Sequence, residues 1–146
     1  MTELTITIYT DGACDPNPGP GGYAAILVAT DGDGNMLKER VVTGSDPATT
    51  NNRMELRAAI EGLKALASPS KVTVVSDSEY LVKTLTLKWK RKKNQDLWAE
   101  VDALVAIHSI TWNHVRGHAG HTYNERCDRL AVAEISKLKQ QSRATE

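Results

Sequence analysis

Net charge is the first thing this sequence lacks. Its 18 lysines and arginines cancel its 18 aspartates and glutamates, so any attraction to a polyanion has to be local. Cysteine is nearly absent too. The two present, Cys14 and Cys127, stand far apart in the chain and fit free thiols in a reducing compartment better than a disulfide scaffold. No stretch approaches the roughly 20 apolar residues that a membrane helix needs, and the opening MTELTITIY has no basic segment followed by an apolar run. The expectation is a cytoplasmic protein with no membrane partner. What is there, 146 residues with 40% hydrophobic and 25% charged, is the make-up of one globular domain, expected over 1–139 with a polar tail at 140–146.

Periodicity orders the elements. LTITIYTDGA alternates Leu4, Ile6 and Ile8 with Thr5, Thr7 and Tyr9, which predicts a strand stopped by Asp11-Gly12. GGYAAILVAT and MLKERVVTG read as two more strands joined through DGDGN, an antiparallel hairpin. A helix over 53–67 follows, then the β-branched run KVTVVSDSEY, stopping at Asp77. Helices near 79–88 and 96–107, a strand SITWNHV, a loop RGHAGH and a last helix over 124–139 complete the chain. Strand-helix-strand connections favour parallel right-handed crossovers, so the fold expected is α/β: a mixed five-stranded sheet, a three-strand antiparallel meander plus parallel strands, flanked by helices.

In such sheets, sites form at the carboxyl ends of strands, and two of the predicted strands end in an acid, Asp11 and Asp77. Glu55 opens the intervening helix. Its bland reading is a capping box, with Asn52 as N-cap and Glu55 reaching back to it. Asp128 borders the apolar face formed by Cys127, Ala131, Ile135 and Leu138 in the last helix. Singly, each acid reads as a turn residue, a cap or a solvated charge. Converging, they would repel one another by about 4 kcal/mol per pair at about 4 Å and an effective dielectric near 20, and would need cations. Oxygen-only ligation points to Mg²⁺, with Mn²⁺ as a substitute, and two such ions suit phosphodiester hydrolysis.

KWKRKK, Lys88, Trp89, Lys90, Arg91, Lys92 and Lys93, reads either as a solvated helix end with its aromatic tucked in or as a phosphate-binding patch. His114, His118, His121 and Cys127 share one short span, but their spacing does not match paired zinc-ligand patterns. NPGPGG, with Gly19, Gly21 and Gly22, lacks the lysine-serine pair of a phosphate loop and leads into a strand, so it reads as a turn.

YTDGACDPNPGPGGYAAIL, TTNNRMELRAAIEGL, VVSDSEYL, DLWAEVDAL and VRGHAGHTYNERCDRLA, in that order, make the chain resemble the bacterial-type ribonuclease HI family from about Ile6 to Ala133. The resemblance implies a ribonuclease H-like fold and an endonuclease that hydrolyses the RNA strand of an RNA–DNA hybrid duplex by two-metal-ion catalysis, leaving 5′-phosphate and 3′-hydroxyl ends, with no obligate protein partner and a monomeric state. It assigns metal binding to Asp11, Glu55, Asp77 and Asp128, and an auxiliary catalytic role to His118. It places Asn17, Asn51 and Asn52 against substrate and Thr50 near a phosphate of the DNA strand. This sequence departs from the family pattern twice. The long basic protrusion before DLW is compressed to KWKRKKNQ, and Glu79 stands where glutamine often follows the serine.

Overall fold

A computed structural model of the chain describes residues 4–116 and 122–144, with side chains as far as 141. Nine elements follow in the expected order: β1 Thr5–Cys14, β2 Gly19–Thr30, β3 Met36–Thr49, α1 Asn51–Lys64, β4 Lys71–Ser76, α2 Glu79–Thr86, α3 Gln95–Ile107, β5 Ser109–His114 and α4 Thr122–Ala144. The strands form one sheet in the order β3-β2-β1-β4-β5. β1, β2 and β3 pair antiparallel, while β4 pairs parallel with both β1 and β5. The mixed sheet is as expected from the sequence.

β2 lies near the middle of the sheet and is covered on both faces, which is why its run YAAILVA does not alternate with polar residues. Ala25 and Leu27 join Ile8, Val74, Leu56, Ile60, Leu63, Leu81, Trp98 and Val101 in the main core beneath α1, α2 and α3. Ala24, Ile26 and Val28 pack instead with Cys127, against which Tyr9, Tyr123 and Leu130 close the layer under α4. Gly22 is the contact that lets α4 approach. A Cβ there would stand 2.2 Å from the Ala131 carbonyl oxygen.

Several boundaries differ from the expectation. β3, expected over 36–44, runs on to Thr49 because it keeps pairing with β2 as far as Gly19 with Thr49. β1 does not stop at Asp11-Gly12 but runs on to Cys14, because Asp11, Gly12, Ala13 and Cys14 keep pairing with Ala24, Tyr23, Gly22 and Gly21 of β2. What ends near Asp11 is the parallel ladder, whose last rung is Thr10 with Ser76. α1 begins at Asn51, and its N-cap is Thr50, whose hydroxyl accepts from the Arg53 amide at 3.2 Å; Asn52 already lies inside the helix. α4 continues through 140–144, beyond the expected end at 139.

Candidate active site

Asp11 and Asp77 are the next residues after the last parallel rung on two neighbouring strands, so the sheet itself brings their side chains to one end. Glu55 arrives from above. Its helix start lies directly on β1 because residue 12 is glycine: a Cβ there would be 2.4 Å from the Glu55 nitrogen and the Met54 carbonyl carbon. The same glycine supplies a donor. Its amide donates to Asp11 Oδ1 at 2.9 Å and also to Glu55 Oε1, so one backbone N–H orients both carboxylates. Glu55 is therefore not the partner of Asn52 in a capping box. It faces the sheet.

Carboxylate oxygens of Asp11, Glu55 and Asp77 lie within 4.8 Å of one another. Asp11 and Glu55 are buried and Asp77 is half-buried. Crowding and burial act in the same direction on the protons. Burial, then the charges of Asp77 and Asp128, push the Asp11 carboxyl up to about 7, against a hydrogen bond with Glu55 that favours its charged form. Burial, then Asp11 and Asp77, also raise Glu55 well above the ordinary carboxylate range. Two adjacent acids that hold protons toward neutrality are a site built for positive charge. Because every ligand atom is a carboxylate oxygen, the residues fit a hard divalent cation.

Asp128, half-buried on α4, lines the same open groove of about 470 Å³, together with Asn51 and Asn52 from the start of α1 and Ser78, Glu79 and Tyr80 from the start of α2. It stands on the wall, outside the tight group of three. Asn17 reaches this rim indirectly: its Oδ1 accepts from the Asn51 amide at 3.1 Å, tying the turn before β2 to α1. Thr50 spends its hydroxyl on the cap. His118 and His121 lie outside the described residues. His114 is exposed on β5, with Nε2 3.3 Å from the Asp77 carbonyl.

The basic run divides in two. Its residues follow α2 as a non-helical stretch, with Lys88, Trp89, Lys90, Lys92 and Lys93 exposed. The indole of Trp89 is 45% exposed and thus is not tucked against the body. Arg91 behaves differently from the lysines. Its guanidinium lies over the Trp98 ring at 4.6 Å, and Nη1 meets both carboxylate oxygens of Asp102 at 2.7 and 2.6 Å.

Sequence reasoning missed the brace between this stretch and the groove. Arg53 makes a two-armed bond to Asp96 at 3.0 and 2.8 Å and a third to Asn94 Oδ1, while the Tyr80 hydroxyl accepts from Asn94 Nδ2 and Trp98 Nε1. No local pattern announces a pair 43 positions apart. Gly12 did carry a signal, since Asp-Gly was visible, but it reads as a turn and not as a donor between acids. Among the described residues, no group of histidines and cysteines gathers to hold a metal. The Cys127 thiol, pushed up to about 12 mainly by burial, donates to the Tyr9 carbonyl at 3.3 Å. His108, C-cap of α3, accepts from the Ser70 amide through Nδ1 at 3.0 Å and does not cap helix carbonyls with its side chain.

The RNase H family model matches residues 3–136. A ribonuclease H of Ruegeria sp. (strain TM1040) is 47% identical over 94% of this chain and 95% of its own length, and one of Dinoroseobacter shibae is 51% identical over 90% and 91%. Among solved structures, LC9-RNase H1, described as a type 1 RNase H with the type 2 active-site motif, superposes with a TM-score of 0.79 at 32% identity, covering 94% of this chain and 74% of that one. LC11-RNase H1, solved in complex with an RNA/DNA hybrid, superposes with a TM-score of 0.71 at 29% identity over 92% and 99%. Sheet order, the gathered acids and these likenesses agree: the chain belongs to the RNase H family, whose members are metal-dependent hydrolytic nucleases.

Proposed function

We propose that this protein hydrolyses the RNA strand of RNA–DNA hybrids, with Asp11, Glu55, Asp77 and Asp128 as its catalytic metal-binding acids. The observation that carries the reading is the convergence of Asp11, Glu55 and Asp77 to within 4.8 Å, with Asp128 on the same groove. A solved relative in complex with an RNA/DNA hybrid supports the substrate. Magnesium is the cofactor, with manganese as a substitute. Bound as two ions, it would neutralise the acids, activate the attacking water and stabilise the leaving oxygen, giving 5′-phosphate and 3′-hydroxyl ends.

The chain's own residues prepare the site. The Gly12 amide holds the Asp11 and Glu55 carboxylates in fixed orientation, so little reorganisation remains when the substrate arrives. Asn17, Asn51 and Asn52, whose amides both donate and accept, are suited to ribose 2′-hydroxyls and base edges, and Thr50 to a phosphate of the DNA strand. Lys88, Lys90, Lys92 and Lys93, with Trp89 among them, receive backbone phosphates farther along the duplex. Arg91 supports that surface from within. His118 serves proton handling or product release, a role suited to an imidazole that exchanges its proton near neutrality. The protein works as a cytoplasmic monomer; no helix among the described residues is long and apolar enough to cross a membrane.

Matched RNA–DNA, RNA–RNA and DNA–DNA duplexes, incubated with and without Mg²⁺, test the reading. Metal-dependent cleavage confined to the RNA of the hybrid is expected. Equal cleavage of all three duplexes would overturn it in favour of an unselective nuclease, and cleavage of DNA–DNA alone in favour of a nuclease for structured DNA.

A further inference from the structure

Glu79 is the outermost of the acids on the groove wall. It opens α2, where a carboxylate is favoured by the helix dipole, and its side chain is 59% exposed. It is not among the three acids whose oxygens gather closely enough to share a cation. Asp128 stands outside that group as well, but Glu79 is the more exposed of the two, and its charge lies at the lip where an anionic duplex has to enter. A like charge about 4 Å from a phosphate costs about 1 kcal/mol even in water, roughly a factor of five in affinity.

One helical turn later stands Lys83. Its Nζ pairs with Glu79 Oε1, and Glu followed by Lys at four residues' distance is the favourable orientation along a helix. At this contact an ammonium meets a carboxylate, so the pair is internally neutral. Were Glu79 alone at the lip, the groove would repel its substrate; were Lys83 alone, it would be another phosphate contact.

We propose that Lys83 is a positioning residue that admits substrate by neutralising Glu79, the most exposed acid of the groove wall. This rests on the hybrid-cleaving function above. Lys83 acts through Glu79 and does not itself touch the duplex, which separates it from the lysines of the basic stretch.

A double-mutant cycle tests the inference, using Lys83→Gln, Glu79→Gln and the two combined, with KM and kcat for a hybrid measured from low to high salt. Lys83→Gln is expected to raise KM about 3–10-fold at low ionic strength, with a much smaller effect on kcat, and the gap should close as salt screens the charge. Adding Glu79→Gln should bring KM back to within about twofold of the unsubstituted enzyme. An unchanged KM in Lys83→Gln would overturn the proposal. So would a KM raised equally in the single and double variants, since Lys83 would then be a direct phosphate contact. Glu79 is exposed and Lys83 half-buried, outside the core, so the fold is retained, and a loss of helix stability would not be rescued by removing Glu79. Repeating the cycle as hybrid Kd in an Asp77→Asn background reads the same coupling without turnover. Failure of the unsubstituted enzyme to cleave the hybrid would count against the proposed function, whereas the KM and Kd patterns bear on Lys83.

Discussion

Asp11, Glu55 and Asp77 stand on a strand interior, a helix start and a strand end, where the backbone of the sheet and the amide of Gly12 hold them together against their own repulsion. Lys88, Lys90, Lys92 and Lys93 stand on a stretch without regular structure, exposed. The first region is costly and preorganised; the second costs little and adapts. A buried acid cluster lowers the stability of the metal-free fold, and the fold tolerates it because burial elsewhere, in the main core under α1, α2 and α3, offsets the cost. Solvated lysines carry no such penalty, and what they contribute shows only when a polyanion is present. Substitution in the two regions should accordingly have opposite signatures.

The largest difference is expected from Asp77→Asn and Asp11→Asn. Each should reduce hybrid cleavage by on the order of 10³-fold or more at physiological Mg²⁺ if these acids bind the metal as proposed, since such a loss removes several kcal/mol of transition-state stabilisation. Hybrid binding should largely persist. Asp11→Asn should also raise the melting temperature of the metal-free protein, because it removes a charge that its neighbours disfavour. Near-normal cleavage by either variant would break the contrast at its stronger pole.

The acid cluster should also impose its own pH dependence on stability. Asp11 has a folded-state value of about 7, above the ordinary 3.8 of the unfolded chain, so folding favours its protonated form. The penalty is absent below about pH 4, grows as pH rises, and is complete above about pH 7, amounting to at most about 4 kcal/mol. Glu55, also raised, adds in the same direction. Asp96 and Glu39, held low by hydrogen bonds to Arg53 and Arg126, work the other way, and only in more acidic solution. Urea unfolding in EDTA should thus show a less stable protein at pH 8 than at pH 5, and Mg²⁺ should narrow the difference. A metal-free protein whose stability rises steadily from pH 5 to pH 8 would mean that the acids are not crowded in solution.

The two regions also differ in how well they could be read from the sequence. Asp11 and Asp77 were legible because β-branched runs preceded both, and parallel neighbours must present such positions at the same end. Glu55 was legible as the opening of a helix but not in its direction. Thr50, Asn51 and Asn52 all make good caps, and only the approach of α1 over Gly12 decides that Thr50 caps and Glu55 turns to the sheet. The end of β1 was not legible because Gly12, Ala13 and Cys14 carry no strand signal of their own; their pairing with β2 is tertiary. In the basic stretch, composition revealed the charge but not its use. Nothing local separates Arg91 from the lysines around it, because its partners Trp98 and Asp102 lie on the following helix.

Neutralising Lys88, Lys90, Lys92 and Lys93 together should weaken hybrid binding about 10-fold or more near 0.1 M salt. It should flatten the slope of log affinity against log salt by up to about 0.9 for each phosphate that the protein no longer neutralises. Turnover at saturating substrate should change little by comparison. A salt slope equal to that of the unsubstituted protein would reduce this stretch to solvated charge, and the comparison would lose its second term.

Arg91→Ala sharpens the comparison at its smallest scale, because it removes a cation from the basic stretch that is already committed to the protein. The guanidinium is stacked on Trp98 and paired with Asp102, and Trp98 in turn donates to Tyr80 on the groove wall. An exposed ion pair and one cation–π contact together are worth about 1 kcal/mol, so a modest loss of stability is the expected primary effect. Affinity should fall slightly at every salt concentration, through a less well held stretch, while the salt slope stays that of the unsubstituted protein. Arg91→Lys should recover part of the stability but not the planar stacking. The two readouts separate the alternatives. A slope flattened by the equivalent of about one phosphate, with stability unchanged, would mean that Arg91 leaves Asp102 for the duplex on binding, and that the division between anchoring and binding cations holds only in the free protein.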